Sequence, residues 1–243
     1  MDNLFSIEST VKPSMCDFSG RLGEANILDT FMDIAALHAE KLGCGQGSMI
    51  MDGKFWLTLK TRVTFYRLPA MNENITVSTW PDAPERIFCI RNYRISRGDE
   101  TLVLGKTQWA VLNRATGRLD RTADVYPEGV EYNDHGGDKE LFETVTDNMF
   151  ASEPFAEYTV KSTDIDIGGH MNNVAYFRAF QGLFTTEERR SRPLRTLEIQ
   201  FRNQCFEGET LMFSKFEADG KTFVRALTGD KTAAYIIIVA GNE

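Results

Sequence analysis

The sequence predicts an α+β chain in which one unit, a helix followed by an antiparallel meander, is used twice. Three observations predict it. Apolar residues recur at helical spacing in two separate places, 29–42 and 173–184. Each place is followed by runs that alternate with period two and are broken by turn residues. The run "LEIQFRNQCFEGETLMF" also lies under "TRVTFYRLPAMNENITV" without a gap, at an offset of 136 residues. In that register Val63 meets Ile199, Phe65 meets Phe201, Glu73 meets Glu209, Ile75 meets Leu211 and Val77 meets Phe213.

The elements follow in order. Phe31, Ala35, His38 and Leu42 step by four, three and four, which is one face of a helix over 29–42. Thr30 with Asp33 resembles a capping box, and Gly43 is the stop. In "FWLTLKTRVTFYR" the alternation assigns Phe55, Leu57, Leu59, Val63 and Phe65 to one face of a strand. Pro69 and "MNEN" form a turn, "ITVSTW" returns, and strands over 87–95 and 101–112 are joined by "SRGDE". In the second half Asn173 is read as the cap of a helix with Val174, Phe177, Phe180 and Phe184 on its apolar side. The last strands fall at 222–228 and 233–240. Between the halves, "GRLDRTADVYPEGVEYNDHGGDKE" is polar and turn-rich. The expected organisation is therefore a domain over 1–128, a linker over 129–152 and a domain over 153–243.

Composition narrows the function. At 42% hydrophobic and 26% charged, the 243 residues are those of a globular protein. The start "MDNLFSIEST" has no basic segment and no long apolar core, so no signal peptide is read. The longest apolar run, 233–240, is too short to span a bilayer, so no membrane insertion is expected. Four cysteines without CxxC spacing read as reduced thiols in a cytoplasm. A net charge of −8 argues against nucleic acid as a partner.

The stretch "DIDIGGHMNN" gathers proton-transfer groups just before a helix start. Asp166 is placed to orient a water or act as a base, with His170 four residues on. Gly168 and Gly169 free the backbone between them. The helix N-terminus beyond offers unpaired N–H groups and a positive dipole end for a developing oxyanion. The plainer reading makes Asp164, Asn172 and Asn173 caps and turn formers. Of the other histidines, His38 reads as packed on an apolar helix face and His135 as inert in the linker. One histidine and two aspartates, with no second clustered His or Cys, do not make a zinc site. No phosphate-binding loop or nucleophile elbow is present.

"DIDIGGHMNNVAYFRAF" resembles the D-x-D-x-N-x-H-x-N-N-x-x-Y motif of the fatty acyl-ACP thioesterases, a plant and bacterial family. "ALHAEKLG", "FWLTLKTRVTFYRLPAMNENITVSTW" and "GKTQWAVLNRATGRLDR" resemble that family's N-terminal half, and the likeness covers roughly 5–240. The resemblance implies two tandem hotdog domains, each a long helix wrapped by a curved antiparallel sheet. It implies that the N-terminal domain holds the acyl chain while the C-terminal one is catalytic. Water would attack the thioester, releasing free fatty acid and holo-ACP, with no metal and no organic cofactor. Asp166 and His170 stand at the family's Asp and His positions. The family's intervening Asn is Gly168 here, and its Glu–Cys pair aligns with Gln204 and Cys205. The implied catalytic set is Asp166, His170, Gln204 and Cys205, with Gly168, Asn172 and Asn173 in positioning and oxyanion roles. Gln204 can position a water but cannot accept a proton. Cys205, with no base beside it in sequence, reads as packing.

"DFSGRLGEANILD", before the first helix, lacks histidine, so one site per chain is expected. Acyl carrier protein is acidic and needs a basic surface. Arg178, Arg189, Arg190, Arg192 and Arg195 supply a candidate docking patch, and Arg86 to Arg97 contributes a second basic run. Two alternatives remain at this stage. One is an acyl-CoA thioesterase of the same fold. The other is a non-catalytic acyl-thioester-binding protein, suggested by Gly168 and Gln204. Tandem hotdogs imitate the dimer of single-hotdog proteins, so the chain is expected as a monomer or homodimer.

Overall fold

The computed structural model describes residues 2–241. The chain divides into two compact units, Met1–Glu140 and Leu141–Glu243. The first contains β1 (Phe5–Thr10), α1 (Glu24–Lys41), α2 (Gln46–Met51), β2 (Lys54–Phe65), β3 (Asn74–Pro81), β4 (Cys89–Arg97), β5 (Glu100–Asn113) and β6 (Arg118–Asp120). Its strands are antiparallel in the order β1-β3-β4-β5-β2, with β6 on β5. The second contains β7 (Ala156–Thr159), α3 (Asn173–Gln181), α4 (Thr186–Ser191), β8 (Leu194–Phe201), β9 (Thr210–Ala218), β10 (Lys221–Thr228) and β11 (Lys231–Ala240). Its order, β7-β9-β10-β11-β8, is the first order over again. The repeat reaches single hydrogen bonds. Glu73 Oε2 accepts the Ala70 N–H and Glu209 Oε2 accepts the Phe206 N–H, at the same offset of 136 as the strands.

Helix α1 begins earlier than the capping pattern predicts. Gly23 is its N-cap, and the Thr30 hydroxyl donates to the Asn26 carbonyl inside the helix instead of capping it. Gly23 has no side chain to signal a cap, which is why the true start was silent in the sequence. The predicted face is the buried one: Phe31, Ala35, His38 and Leu42 all lie in the interior. Phe31 stacks on Tyr93 of β4 with ring centroids 4.6 Å apart. A Cβ on Gly105 of β5 would stand 2.5 Å from the Phe31 ring, so the helix lies this close to the sheet only because β5 carries glycine there.

The face assigned to β2 needs correction. Thr58 pairs with Trp109 and Lys60 with Gln108, so Leu59 is an extra residue, a β-bulge. The bulge inverts the phase of alternation. Val63 and Phe65 share a face with Thr58 and Trp56, whereas Phe55 and Leu57 lie on the other. Trp56 is thereby brought onto the same face as Trp109, and the two rings meet edge to face at 6.3 Å.

In the second unit Asn172, not Asn173, is the N-cap of α3. Its side chain accepts the Val174 N–H at 2.8 Å. Phe184 lies beyond the helix end but packs against Phe180, 5.1 Å between centroids. The short edge strands β1 and β7 and the six-residue helices α2 and α4 were not anticipated. The segment read as a linker is anchored. Arg62, Arg94 and Lys106 hold Asp138 and the carbonyls of His135 and Glu140 on the first unit. Val145 and Phe150 enter a core cluster with Phe223, Tyr235 and Ile237 on the second. His135 is likewise engaged, bonded to Asn3 Oδ1 at 3.0 Å and set edge-on against Trp80. Among the described residues no helix is long and apolar enough to cross a membrane.

Candidate active site

The turn that carries the histidine is built from local rules. Asp166 Oδ1 accepts the Gly168 N–H at 2.7 Å, an Asx turn. The Gly169 N–H returns to the Asp166 carbonyl at 2.9 Å, and Gly169 holds φ +77°, a left-handed conformation natural to glycine. The Asp166 N–H then meets the His170 carbonyl at 3.0 Å, closing a loop from which both side chains project.

Gly168 is not left-handed; it matters for space. A Cβ there would lie 2.9 Å from both Asp166 Oδ1 and His170 Nε2. The two functional atoms therefore flank one point and are no further apart than twice that distance. His170 Nδ1 is 3.3 Å from the Met171 carbonyl, which can only accept; in the neutral ring this contact places the hydrogen on Nδ1 and the lone pair on Nε2.

The neighbours hold this turn in place. Asp164 Oδ2 accepts from the Tyr158 hydroxyl and the Lys161 N–H, each at 2.8 Å, and its carbonyl accepts the Asn172 N–H. The first aspartate of the pair is thus a brace, and the second belongs to the site. Burial, then the bond to Asp164, pushes the Tyr158 hydroxyl up to about 12. The Met171 N–H reaches the Cys205 carbonyl at 2.8 Å, tying the turn to the loop before β9. At the start of α3, Asn172 accepts from Val174 and Ala175, while the Asn173 N–H and side chain have no partner among the described residues.

The remaining candidates are placed differently. Cys205 is fully buried, and burial pushes its thiol up, so it stays protonated at neutral pH. Gln204 is exposed, and its side chain makes no hydrogen bond among the described residues. Arg178 on α3, Arg190 on α4, and Arg192 and Arg195 beyond it are exposed; Arg189 is partly buried. Most of the second basic run is engaged: Arg86 is exposed, but Arg91 is buried, Arg94 binds linker carbonyls, and Arg97 pairs with Glu73 and Glu100. Tyr158 and Glu209 were missed as braces, because nothing in their local sequence marks them.

The first unit contains the same loop. A bridge joins Cys16 to Leu22 as one joins Ile165 to Met171, and Leu22 N–H reaches Pro69 O as Met171 N–H reaches Cys205 O. Asp17 stands for Asp166, Gly20 for Gly169, Ser19 for Gly168 and Arg21 for His170. That unit also holds a cavity of about 200 Å³ between α1, α2 and the sheet, lined by Met32, Ala35, Met49, Trp56, Arg91 and Trp109 among others.

A family model described as the acyl-ACP thioesterase N-terminal domain matches residues 2–130, and one described as the C-terminal domain of the same family matches residues 149–234. A palmitoyl-acyl carrier protein thioesterase of Gossypium hirsutum is 24% identical over 191 residues, which is 74% of this chain and 46% of that protein. An oleoyl-acyl carrier protein thioesterase of Coriandrum sativum is 23% identical over 193 residues, 72% of this chain and 50% of that one. Both are chloroplastic, and the chain spans about half the length of these curated relatives. Among solved structures, an acyl-ACP thioesterase from Bacteroides thetaiotaomicron superposes with a TM-score of 0.85 at 22% identity, covering 98% of both chains. A 12:0-ACP thioesterase from Umbellularia californica gives 0.79 at 15% identity over 99% of this chain and 97% of that one. The fold is two tandem hotdog domains, α+β in class.

Proposed function

The chain belongs to the acyl-ACP thioesterase family, and from that membership we propose that it hydrolyses the thioester of a fatty acyl chain borne on acyl carrier protein. The observation that carries the reading is the pairing of Asp166 Oδ1 and His170 Nε2 about Gly168. Because Asp166 Oδ1 and His170 Nε2 are no more than twice 2.9 Å apart, one water lying between them on the open side of Gly168 can hydrogen-bond to both. Its proton passes to His170 Nε2 as its oxygen attacks the thioester carbon, with Asp166 orienting it. The Asn173 N–H, at the positive end of the α3 dipole, is the donor for the oxyanion that forms. When the tetrahedral intermediate collapses, the C–S bond breaks and His170 returns the proton to the departing sulfur. The products are the free acid and the carrier thiol.

In this assignment Cys205 acts through its carbonyl, as an anchor for Met171, and its thiol takes no part. The N-terminal cavity holds the acyl chain, its mostly apolar lining suiting a hydrocarbon. An apolar cavity of roughly 150 Å³ holds benzene, so this one suits several methylenes. The exposed arginines from Arg178 to Arg195 dock the acidic carrier. The four free thiols fit a reducing compartment, which we take to be the cytoplasm.

The test is the purified protein against a panel of acyl-ACPs and acyl-CoAs, with free fatty acid measured. Hydrolysis should favour the ACP series, and Asp166→Asn and His170→Ala should each lower kcat by about 10²–10⁴. Preference for acyl-CoA would transfer the reading to a CoA thioesterase. Binding of acyl-ACP without release of acid would leave a carrier-binding protein.

A further inference from the structure

Arg91 is a buried guanidinium with no carboxylate beside it. It is 4% exposed, and its hydrogen bonds go to His38 Nδ1 at 3.1 Å and Thr79 Oγ1 at 3.5 Å, so most of its five donors have no protein acceptor. His38 is a neutral acceptor here. Burial, then the charge of Arg91, holds it down at about 4. Burying a cation without an anionic partner carries a large desolvation penalty.

The repeat shows that the fold does not require this charge. Arg91 pairs with Pro81 of β3; at the corresponding place in the second unit Glu217 of β9 pairs with Thr222. The same sheet is therefore built without a cation at this position. In the first unit the arginine lines the cavity. The lining includes no Asp or Glu. A mostly apolar pocket, whose other polar members are Gln46, Lys54 and Tyr126, thus presents a buried cation and no anion.

We propose that Arg91 makes this cavity selective for acyl chains that carry an acceptor oxygen, hydroxyl or keto, in the part of the chain lodged there. The inference rests on the reading that the cavity holds the acyl chain. A plain hydrocarbon leaves the guanidinium desolvated and unmatched, whereas a chain oxygen accepts a charge-assisted hydrogen bond.

All three tryptophans, Trp56, Trp80 and Trp109, lie in the first unit, and two of them line the cavity, so tryptophan emission reports its occupancy. The wild type is titrated with plain fatty acids and with their hydroxylated counterparts, the hydroxyl placed at successive carbons. The matching acyl-ACP pairs are assayed in parallel for release of acid. One hydroxyl position should bind at least about tenfold tighter than the plain acid, the worth of a hydrogen bond to a charged group. Arg91→Met should abolish that preference and Arg91→Lys should retain part of it. Plain chains binding as well as every hydroxylated one would overturn the proposal without any variant, as would a preference that persists in Arg91→Met. Failure to hydrolyse any thioester, with the emission preference intact, would instead count against the thioesterase reading alone.

Discussion

Ser19 and Gly168 occupy the same place in two copies of one loop, each donating its backbone N–H to the aspartate two residues before it, at 2.8 and 2.7 Å. The first copy shows that the turn accepts a side chain at this position. In the second, a Cβ would press on Asp166 Oδ1 and His170 Nε2 together. Gly168→Ala should therefore fold normally, since residue 168 is not left-handed, yet lower kcat by about tenfold or more as the imidazole is displaced. Thermal unfolding alongside initial rates checks both halves. An unchanged rate would remove the water position from the mechanism.

Cys205 and Gln204 separate structure from chemistry. Cys205→Ala opens a small space beside Tyr176 and should cost about 1–2 kcal/mol of stability in the second unit while leaving kcat near wild type. Gln204→Ala, at an exposed position without hydrogen bonds, should change neither. Denaturant titration with the hydrolysis assay decides the matter. A folded Cys205→Ala protein without activity would make the thiol the nucleophile.

Much of this architecture was legible because its signals are local. The period-two runs, the Phe31–His38 face and the offset of 136 all survive in the structure, since each is written in burial along one element. The phase of β2 was not legible. A bulge at Leu59 leaves no composition mark, and it is known only from the partner strand. The stretch "DFSGRLGEANILD" was legible as the counterpart of the active-site stretch, but its residue-by-residue match was not, for a related reason. Leu22 and Met171 are offset by 149, against 136 for the strands, mainly because α1 has 18 residues and α3 has 9, the rest of the difference lying in the longer stretch between helix and strand in the first unit. A gapless alignment that fits the strands cannot also fit the loops. Asp166 and His170 could be picked out by residue type. The role of Gly168 could not, because it depends on how two side chains fold back across it.

His38 sets an acid limb on the stability of the first unit. Burial, followed by the charges of Arg91 and Lys41, lowers it from 6.5 to about 4, with Asp2 opposing. The unfolded chain thus binds a proton over this window that the folded one refuses. Stability is complete above pH 6.5 and falls as the pH drops toward 4, by about 3 kcal/mol in all. Glu73, held down at about 2 by its bonds to Arg67, loses its contribution from about pH 4.5 downward, overlapping only the lowest part of that window. Urea titrations followed by tryptophan emission, at a series of pH values, should show the limb, and His38→Gln should flatten it.

The carrier surface gives the last expectation. Arg192 and Arg195 are exposed, and unlike Arg189 and Arg190 they lie outside the last turn of α4, where a cation already complements the helix dipole. Reversing them should spare the fold and act on long-range charge. Arg192→Glu with Arg195→Glu should raise KM for acyl-ACP several-fold at low salt and weaken its dependence on ionic strength, because screening then has less attraction to remove. A small acyl thioester lacking the carrier should be hydrolysed as before, since neither residue belongs to the Asp166–His170 turn. Initial rates on both substrates across a salt series make the comparison. Equal losses on the two substrates would indicate damage to the site. No loss on either would mean that the patch is solvated surface and that the carrier docks elsewhere.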